Sequence, residues 1–340
     1  MQTPKTSIIV PCRNEECHVE VALASMLAQQ GVGGGFEIIV ADGRSNDGTR
    51  KILDRMAAAS QNLRVIDNPR QIVSTGLNLA IHAARGEVIV RMDGHACYAP
   101  DYVACCLDAL AASEAQNVGG PALTQASGFI QEANALAYHS AFSVGGARFH
   151  DPAYEGWVDT VTYGCWRKQT LVDLGFFDEE LVRNQDDELN LRLVRSGGRI
   201  WQTPKIRSWY VPRASLAALF RQYAQYGYWK VRVIQKHRLP ASVRHLVPGS
   251  FVACLILLTP LASFWAWART ALGVLLGLYV LANLGASVVT CRHRENWKYL
   301  PVMPVVFAAY HFGYGWGFLR GVADFLVFMR SPQQASKLTR

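Results

Sequence analysis

The sequence predicts an α/β fold with a mostly parallel sheet that is covered by helices on both faces. The first observation behind this prediction is that short apolar strands alternate with segments of helical spacing, as in chains that form parallel sheets. The second is a change of composition near residue 245, where long uncharged stretches replace a sequence with charges throughout. Together they predict a soluble α/β part, then an interfacial helix and C-terminal transmembrane helices.

The order of elements in the α/β part follows from apolar runs and from helical spacing. The predicted strands cover residues 6–11, 36–41, 63–66, 87–92, 117–120, 160–165 and 200–203, and the predicted helices cover 15–30, 74–84, 167–174 and 189–196. A turn-rich loop over residues 42–49 leads into another helix, which Ser45 or Asp47 is expected to cap. Ligands on such sheets bind at the carboxyl ends of the strands. The loops at Pro11 to Glu15, at Asp42 and at Asp93 are therefore expected to converge on one edge.

Three C-terminal stretches are apolar enough to suggest membrane helices. Residues 246–268 and 270–291 carry no charge, and each is long enough to cross the ~30 Å hydrocarbon core. Residues 299–319 contain His311 as their one ionisable group. The prolines and the glycine-rich run in this third stretch are typical of a broken or re-entrant helix. The number of spans, two or three, stays open.

The expected orientation puts the α/β part on the cytoplasmic side of the inner membrane in a multi-pass protein. Residues 1–6 are short and polar and lead directly into a strand, so no signal peptide is expected. The basic loop over residues 292–298 agrees with a cytoplasmic return after a two-helix hairpin. A third full crossing would place the basic residues Arg330, Lys337 and Arg340 outside, against the positive-inside tendency.

Charge and cysteine content narrow the class of partner. The net charge of +8 fits a protein that lies against anionic lipid. No compact basic stripe with a recognisable reading motif is present, so we expect no nucleic-acid partner. None of the eight cysteines forms a Cys-x-x-Cys pair, and free cytosolic thiols are expected.

Residues 214–237 form a helix with aromatic side chains along one face and basic residues at its end. Because this helix directly precedes the first uncharged stretch, we expect it to lie in the headgroup interface. The alternative, a helix packed in the core, stays open.

Several motifs appear in order: IIVPCRNEE at 8–16, DGRSNDGT at 42–49, GLNLA at 76–80, Gly86, Asp93 and QDDEL at 185–189. This set resembles the family 2 inverting glycosyltransferases with a GT-A fold (nucleotide-diphospho-sugar transferases), over roughly residues 5–235. The RMDGH motif at 91–95, with the aromatic helix before the C-terminal stretches, is more similar to bacterial exopolysaccharide enzymes of the succinoglycan glucosyltransferase type.

The resemblance implies a nucleotide-sugar site in the first loops. Asp42 is expected to accept the imide N–H of uracil, which a carboxylate at a strand end is suited to do. Pro11 and Glu15 are expected to wall the base and ribose, and Arg13 is expected to bind the nucleotide sugar with them. Glu15 could equally be a first-turn acid that the helix dipole favours.

The resemblance also implies a divalent cation, Mn²⁺ or Mg²⁺, held by Asp93 against the donor diphosphate. The family usually has Asp-x-Asp at this position, whereas this chain has Asp93-Gly94-His95. Because imidazole suits Mn²⁺ better than Mg²⁺, His95 is the candidate second ligand. A purely structural histidine is the alternative.

Asp186 aligns with the family's general base, which deprotonates the acceptor hydroxyl as it attacks the anomeric carbon. Gln185 stands where the family has Glu, and Asp187 is the second candidate, expected near the acceptor. The alternative is an acidic helix N-terminus stabilised by the dipole. The QYGYW run at 225–229 resembles the Gln-x-x-Arg-Trp motif of processive synthases without its arginine. Gln225 and Trp229 are accordingly expected to contact the acceptor sugar.

The sequence as a whole predicts transfer of one hexose, expected to be glucose, from a UDP-sugar to a polyprenyl-diphosphate-linked saccharide at the membrane. Three alternatives stay open: a polyprenyl-phosphate sugar synthase, a processive synthase, and a non-catalytic nucleotide-sugar-binding membrane subunit. The predicted regions are a catalytic domain at 1–212, an interfacial helix region at 213–245, a membrane domain at 246–329 and a tail at 330–340.

Overall fold

The computed structural model describes residues 4–240, 242–293 and 295–331. The chain divides into two compact units: unit 1 is Met1–Thr124 with Arg148–Val211, and unit 2 is Gln125–Ala147 with Pro212–Arg340. The division after Val211 lies next to the predicted boundary at 212, but the segment Gln125–Ala147 belongs to unit 2. Arg294 of the predicted basic loop, Lys337 and Arg340 of the tail, and residues 1–3 lie outside the described residues.

The strands and helices are as follows. The strands are β1 Thr6–Cys12, β2 Phe36–Asp42, β3 Leu63–Asp67, β4 Val88–Arg91, β5 Ala96–Tyr98, β6 Asn117–Gly120, β7 Ala122–Thr124, β8 Gly156–Val158, β9 Thr162–Arg167, β10 Ile200–Gln202 and β11 Ser208–Tyr210. The helices are α1 Val19–Leu27, α2 Thr49–Ala59, α3 Val73–Ala83, α4 Tyr102–Ala112, α5 Phe129–Tyr138, α6 Ala141–Val144, α7 Lys168–Asp173, α8 Gln185–Arg195, α9 Leu216–His237, α10 Val247–Ala262, α11 Ala266–His293 and α12 Met303–Val322. A π-helical turn, Ala323–Val327, follows α12.

Unit 1 is built on a large mixed sheet in the order β3-β2-β1-β4-β9-β6-β10-β8. The strands β1 to β4 pair in parallel, whereas β9 runs antiparallel to both β4 and β6. A smaller sheet has the order β5-β11-β7. The predicted mostly parallel α/β fold is confirmed, with β9 and β8 as its antiparallel members.

The central strands are buried on both faces, as their continuous apolar runs predict. Ile8 and Val10 of β1 contribute to one core cluster, and Ile9 contributes to the other. This alternation follows from the two-residue period of a strand. The parallel register places Cys12 beside Asp42, so β1 and β2 end side by side and their loops start at the same edge.

Helix α8 begins earlier than its apolar spacing predicted, at Gln185, so the acid cluster forms its first turn. Asn184 before it has φ of 60°, a left-handed conformation that asparagine tolerates better than most residues. The Arg192 guanidinium pairs with Glu188 at 2.7 and 2.8 Å and donates to the carbonyls of Leu174 and Phe176. These bonds hold the first turn of α8 against the preceding loop.

In unit 2, helices α9 and α12 pack backbone against backbone. A Cβ atom at Gly317 would lie 1.9 Å from the carbonyl oxygen of Ala224, and one at Gly227 would lie 2.1 Å from that of Tyr314. Only glycine permits this approach. Helix α12 is continuous and its glycines serve packing, so the prediction of a broken helix is wrong. That the segment is re-entrant stays a prediction.

Helix α9 is only in part the exposed interfacial helix that was predicted. Tyr228 and Trp229 are buried, and both rings pack on Phe325 at centroid distances of 4.9 and 5.8 Å. The basic residues Lys236 and Arg238 at its end are exposed. Helix α9 thus packs these two aromatic side chains in the core, while its basic end is exposed as predicted for an interfacial helix.

Two helical segments of unit 2 are long and apolar enough to cross a membrane, Val243–Ala262 and Ala266–His293. They coincide with the first two uncharged stretches, and only a small share of each is buried within the protein. The third stretch does not meet the same criterion in the part of the chain that the structure describes.

Candidate active site

Asp42 ends β2 with a buried, well-held carboxylate. Its Oδ1 accepts the Ser45 hydroxyl at 2.6 Å and the Ser45 backbone N–H at 3.3 Å, while its Oδ2 lies 3.4 Å from Arg50 Nη1. Asp47, not Ser45, supplies the bond at the start of α2, because its Oδ1 accepts the Thr49 N–H at 3.0 Å. Of the two predicted capping residues, Ser45 instead orients Asp42.

The loop that follows β1 is tied to the loop that follows β2. The Asn14 N–H donates to Ser45 Oγ at 3.0 Å, and the Glu15 N–H donates to Thr49 Oγ1 at 2.8 Å. Arg13 packs on Gly43, where a Cβ would lie 3.2 Å from the side chain. Among the described residues, Arg13 Nε is buried and has no hydrogen-bond partner. These bonds bring Arg13 and Glu15 next to the Asp42 loop, and they leave the Nε–H group of Arg13 available to a ligand.

A third loop, after β4, joins the same edge of the sheet. His95 Nδ1 lies 3.3 Å from Glu15 Oε1. The Asp93 backbone N–H donates to the Tyr98 hydroxyl at 2.6 Å, which fixes the turn that carries Asp93. The predicted convergence of the three loops is confirmed by these contacts.

The residues around Asp93 fit a divalent cation that binds together with a donor. Within residues 4–240, 242–293 and 295–331, no group of three or more His, Cys, Asp or Glu side chains is placed to hold a metal ion. Asp93 and His95 offer one carboxylate and one imidazole from the same turn, and the Asp93 side chain is 15% exposed. A cation here would need its other ligands from a diphosphate, as Mg²⁺ sites at nucleotides commonly do.

Asp186 lies in the first turn of α8, where the helix dipole favours a carboxylate. Its Oδ1 accepts the N–H of Asp187 at 3.0 Å. Burial raises the pKa of Asp186 above its ordinary value, the positive charge of Arg91 opposes this shift, and the charge of Asp187 adds to it. A carboxyl group with a raised pKa is a better proton acceptor once ionised, as a general base requires.

Arg91 is the residue that the sequence reasoning missed. It is buried at the end of β4, and its guanidinium holds Asp93 through two bonds, Nε to Oδ1 at 3.0 Å and Nη2 to Oδ2 at 3.2 Å. Burial disfavours its charge, but the carboxylates of Asp93 and Asp186 outweigh burial and raise the pKa of Arg91. The sequence does contain a signal for Arg91: it is an arginine at the end of an apolar strand, two residues before a candidate metal ligand.

Two of the predicted acceptor residues belong to the other compact unit. Gln225 and Trp229 belong to unit 2, whereas Asp186 and Asp187 belong to unit 1. Trp229 is fully buried, so its ring has no open face on which a sugar could stack. This burial argues against the predicted acceptor contact of Trp229.

The fold and the strand-end carboxylates define a glycosyltransferase of the GT-A class. The chain belongs to glycosyltransferase family 2: the model of the glycosyl transferase family 2 domain matches residues 7–161. It is 31% identical over 320 residues to the succinoglycan biosynthesis protein ExoA of Rhizobium meliloti (strain 1021), which covers 94% of this chain and 95% of that protein.

Two further proteins are similar to this chain, one in sequence and one in fold. A Methanococcus voltae protein named dolichyl N-acetyl-alpha-D-glucosaminyl phosphate 3-beta-D-2,3-diacetamido-2,3-dideoxy-beta-D-glucuronosyltransferase is 23% identical over 93% of this chain and 96% of its own. The solved structure of the mannosyltransferase PcManGT from Pyrobaculum calidifontis, in complex with GDP-Man and Mn²⁺, superimposes with a TM-score of 0.57 at 21% identity. The match covers 92% of this chain and 87% of that one, and it shows the shared GT-A-like fold.

Proposed function

We propose that this glycosyltransferase moves one hexose from a UDP-sugar to a polyprenyl-diphosphate-linked saccharide at the cytoplasmic face of the inner membrane, with inversion at the anomeric carbon. The observation that carries the proposal is the buried Arg91, whose guanidinium is hydrogen-bonded to Asp93 and whose positive charge also attracts Asp186, the candidate base. Asp42 lies on the same sheet edge, at the end of β2.

The donor half of the reaction uses the loops that follow β1, β2 and β4. Asp42 accepts the imide N–H of the base, and its fixed orientation by Ser45 supports a specific hydrogen bond. Pro11, Arg13 and Glu15 line the nucleotide, and Arg13 Nε supplies the unfilled donor. Glucose is the proposed hexose, by analogy with the succinoglycan type.

A divalent cation, Mn²⁺ or Mg²⁺, would be held by Asp93 and His95. When bound, it would neutralise the charge that develops on the leaving diphosphate. Arg91 keeps the Asp93 carboxylate in place for this contact. The structurally similar mannosyltransferase, solved in complex with GDP-Man and Mn²⁺, supports this cation requirement.

The acceptor half depends on Asp186. Its carboxylate takes the proton from the acceptor hydroxyl, the hydroxyl oxygen forms the new bond to the anomeric carbon, and the bond to the diphosphate breaks on the opposite side. Asp187 lies in the same first turn of α8 and is proposed to contact the acceptor sugar. The acceptor contact expected of Gln225 stays a prediction.

The two long apolar helical segments of unit 2 are consistent with an acceptor that is itself anchored in the membrane. A polyprenyl-linked saccharide presents its sugar at the headgroup level, and unit 2 contains two helical segments long enough to span the bilayer. The Methanococcus relative is named for a dolichyl phosphate-linked substrate, which supports a lipid-linked acceptor here.

The decisive experiment incubates the purified full-length chain with a panel of radiolabelled nucleotide sugars, native membrane lipids and Mn²⁺ or Mg²⁺. We expect one UDP-hexose to label a lipid extract with a single added sugar in a β linkage. A ladder of products would instead indicate a processive synthase, and label on polyprenyl phosphate alone would indicate a carrier-sugar synthase. Binding of UDP without consumption of any donor would indicate a non-catalytic subunit and overturn the proposal.

A further inference from the structure

Helix α12 is the third apolar stretch of the chain, and the described contacts of unit 2 show where it runs. Its first half meets α11: Asn283 Nδ2 donates to the Pro304 carbonyl at 3.1 Å, and the Tyr279 hydroxyl lies 3.2 Å from His311 Nδ1. Its second half meets α10 instead. A Cβ at Gly315 would lie 2.4 Å from the Pro248 carbonyl oxygen.

This sequence of contacts means that α12 crosses the α10–α11 hairpin. A helix that ran along the hairpin would touch both partners throughout its length, whereas α12 passes from one to the other. On α10 the contacts fall in the first turns, at Pro248, Gly249 and Val252, and on α11 they fall in its second half. The remainder of the hairpin extends beyond α12 with exposed apolar side chains such as Leu257 and Val274.

The surface of α12 has two different faces. Gly313, Gly317 and Gly321 recur every four residues and contact α9, so they form one face of the helix. Val305 and Trp316, eleven residues apart and so on one side of the helix, are 50% and 53% exposed. Phe312 between them packs instead against Phe251 of α10 and Tyr279 of α11, at centroid distances of 5.6 and 5.7 Å.

The end of α12 carries positive charge beside further exposed apolar side chains. Arg330 Nη1 lies 2.8 Å from the buried Asp324, and Arg320 lies 3.9 Å from it. Both arginines keep nearly half of their side chains exposed. Phe328 and Met329 between them are also exposed. Cationic groups next to apolar ones suit the anionic surface of a membrane.

We propose that α12 does not cross the bilayer but lies across the hairpin within the cytoplasmic leaflet, with Val305 and Trp316 against lipid and Arg320 and Arg330 at anionic headgroups. The partner is thus the lipid surface, and the C-terminal end stays on the side from which α10 enters. This inference rests on the proposed membrane location of α10 and α11. It also removes the conflict with the positive-inside tendency, since Arg330 is then cytoplasmic.

Spin labels measure the depth of α12 directly. The full-length chain, with its accessible native cysteines replaced, would carry one label at Val305→Cys, Trp316→Cys, Leu257→Cys or Lys236→Cys in anionic vesicles. We expect the labels at 305 and 316 to be more accessible to oxygen than to a nickel chelate, at depths that agree within about one helical turn, ~5.4 Å. A spanning helix would separate these eleven residues by about 16 Å in depth.

Labelling with an impermeant maleimide on intact spheroplasts tests the topology. Phe264→Cys at the hairpin tip is expected to react from outside, whereas Met329→Cys and the unit 1 control Gln61→Cys react only after the membrane is opened. External labelling of Met329→Cys, or nickel accessibility of positions 305 and 316 equal to that of Lys236→Cys, overturns the inference. A label at Leu257→Cys that is exposed to water would show that the hairpin itself is not in the membrane. If the label at Leu257→Cys is buried in lipid but those on α12 are not at the expected depth, only the inference about α12 is wrong.

Discussion

Arg91 holds both carboxylate oxygens of Asp93, with Nε 3.0 Å from Oδ1 and Nη2 3.2 Å from Oδ2. The positive charge of the same guanidinium also attracts the Asp186 carboxylate. A single buried cation therefore links the turn proposed to hold the donor diphosphate with the helix turn proposed to carry the base.

We predict that Arg91→Lys lowers the turnover number about tenfold or more, because lysine keeps the charge but cannot form the planar two-bond fork. Arg91→Met should lose more activity and also stability, on the order of ~3 kcal/mol, since it leaves a largely buried carboxylate unpaired. Steady-state transfer kinetics and thermal unfolding measure the two effects. Arg64→Lys, which alters the Arg64–Glu37 pair at 3.2 Å, is the matched control and should leave turnover unchanged. Wild-type turnover in Arg91→Lys would contradict the positioning role.

Asp186→Asn should reduce transfer by roughly 10²–10⁴-fold, the usual contribution of a general base. Because the pKa of Asp186 is raised in the folded state, its ionised form lowers stability as the pH rises through that pKa. The melting temperature of Asp186→Asn at neutral pH should therefore equal or exceed that of the wild type. Nearly intact turnover would favour a phosphate acceptor, which needs no base.

Asp187→Asn tests the coupling between the two acids. The charge of Asp187 contributes to the raised pKa of Asp186, so its removal should lower that pKa. The rate rises as Asp186 loses its proton, and the acidic limb of the pH–rate profile should shift to lower pH in this variant. An acidic limb that does not shift would mean either that Asp187 does not affect the pKa of the base or that the base is not Asp186.

Asp42→Asn should raise the Michaelis constant for the nucleotide donor about tenfold or more, because a hydrogen bond to a charged group typically contributes ~1.5–3 kcal/mol. Asp54→Asn is the control, since Asp54 pairs with the same Arg50 at 2.9 Å but is exposed. Donor kinetics of both variants, with folding checked by thermal unfolding, make the comparison. Equal effects of the two substitutions would place the role of Asp42 in the Arg50 ion-pair network instead of in donor binding.

Gly317→Ala should destabilise unit 2 by about 1–3 kcal/mol, the usual cost of overpacking, because the new methyl group meets the Ala224 carbonyl. Gly277→Ala in α11 has nothing within 4 Å of its Cβ and should be neutral or stabilising by up to ~1 kcal/mol. Thermal unfolding in detergent compares the two. A tolerated Gly317→Ala would mean that α9 and α12 separate readily.

The sequence was sufficient for the sheet because its signals are local. Apolar runs such as Ile8 to Val10 need burial on both faces, and loops after parallel strands must meet at one edge. The strand ends alone predict that Glu15, Asp42 and Asp93 lie together. The sequence left open whether the acid cluster forms the first turn of a helix, because the bonds of Arg192 that hold this turn come from a distant loop.

The glycines of α12 show the opposite case. From the sequence, the run from His311 to Gly317 reads as a helix breaker, because isolated glycine weakens a helix. In the structure these glycines let α9 approach to backbone contact, and packing of the two helices outweighs the local preference. Trp229 likewise reads as an acceptor platform and instead fills the interior of unit 2.

The sequence by itself determined the family, the parallel sheet and the strand-end carboxylates, since these depend on residue type and local period. Tertiary structure alone decided that Arg91 pairs with Asp93 and also attracts Asp186, and that α12 crosses the α10–α11 hairpin. The physical reason is that charge pairing and helix packing depend on distances between residues far apart in the chain, and no local pattern encodes those distances.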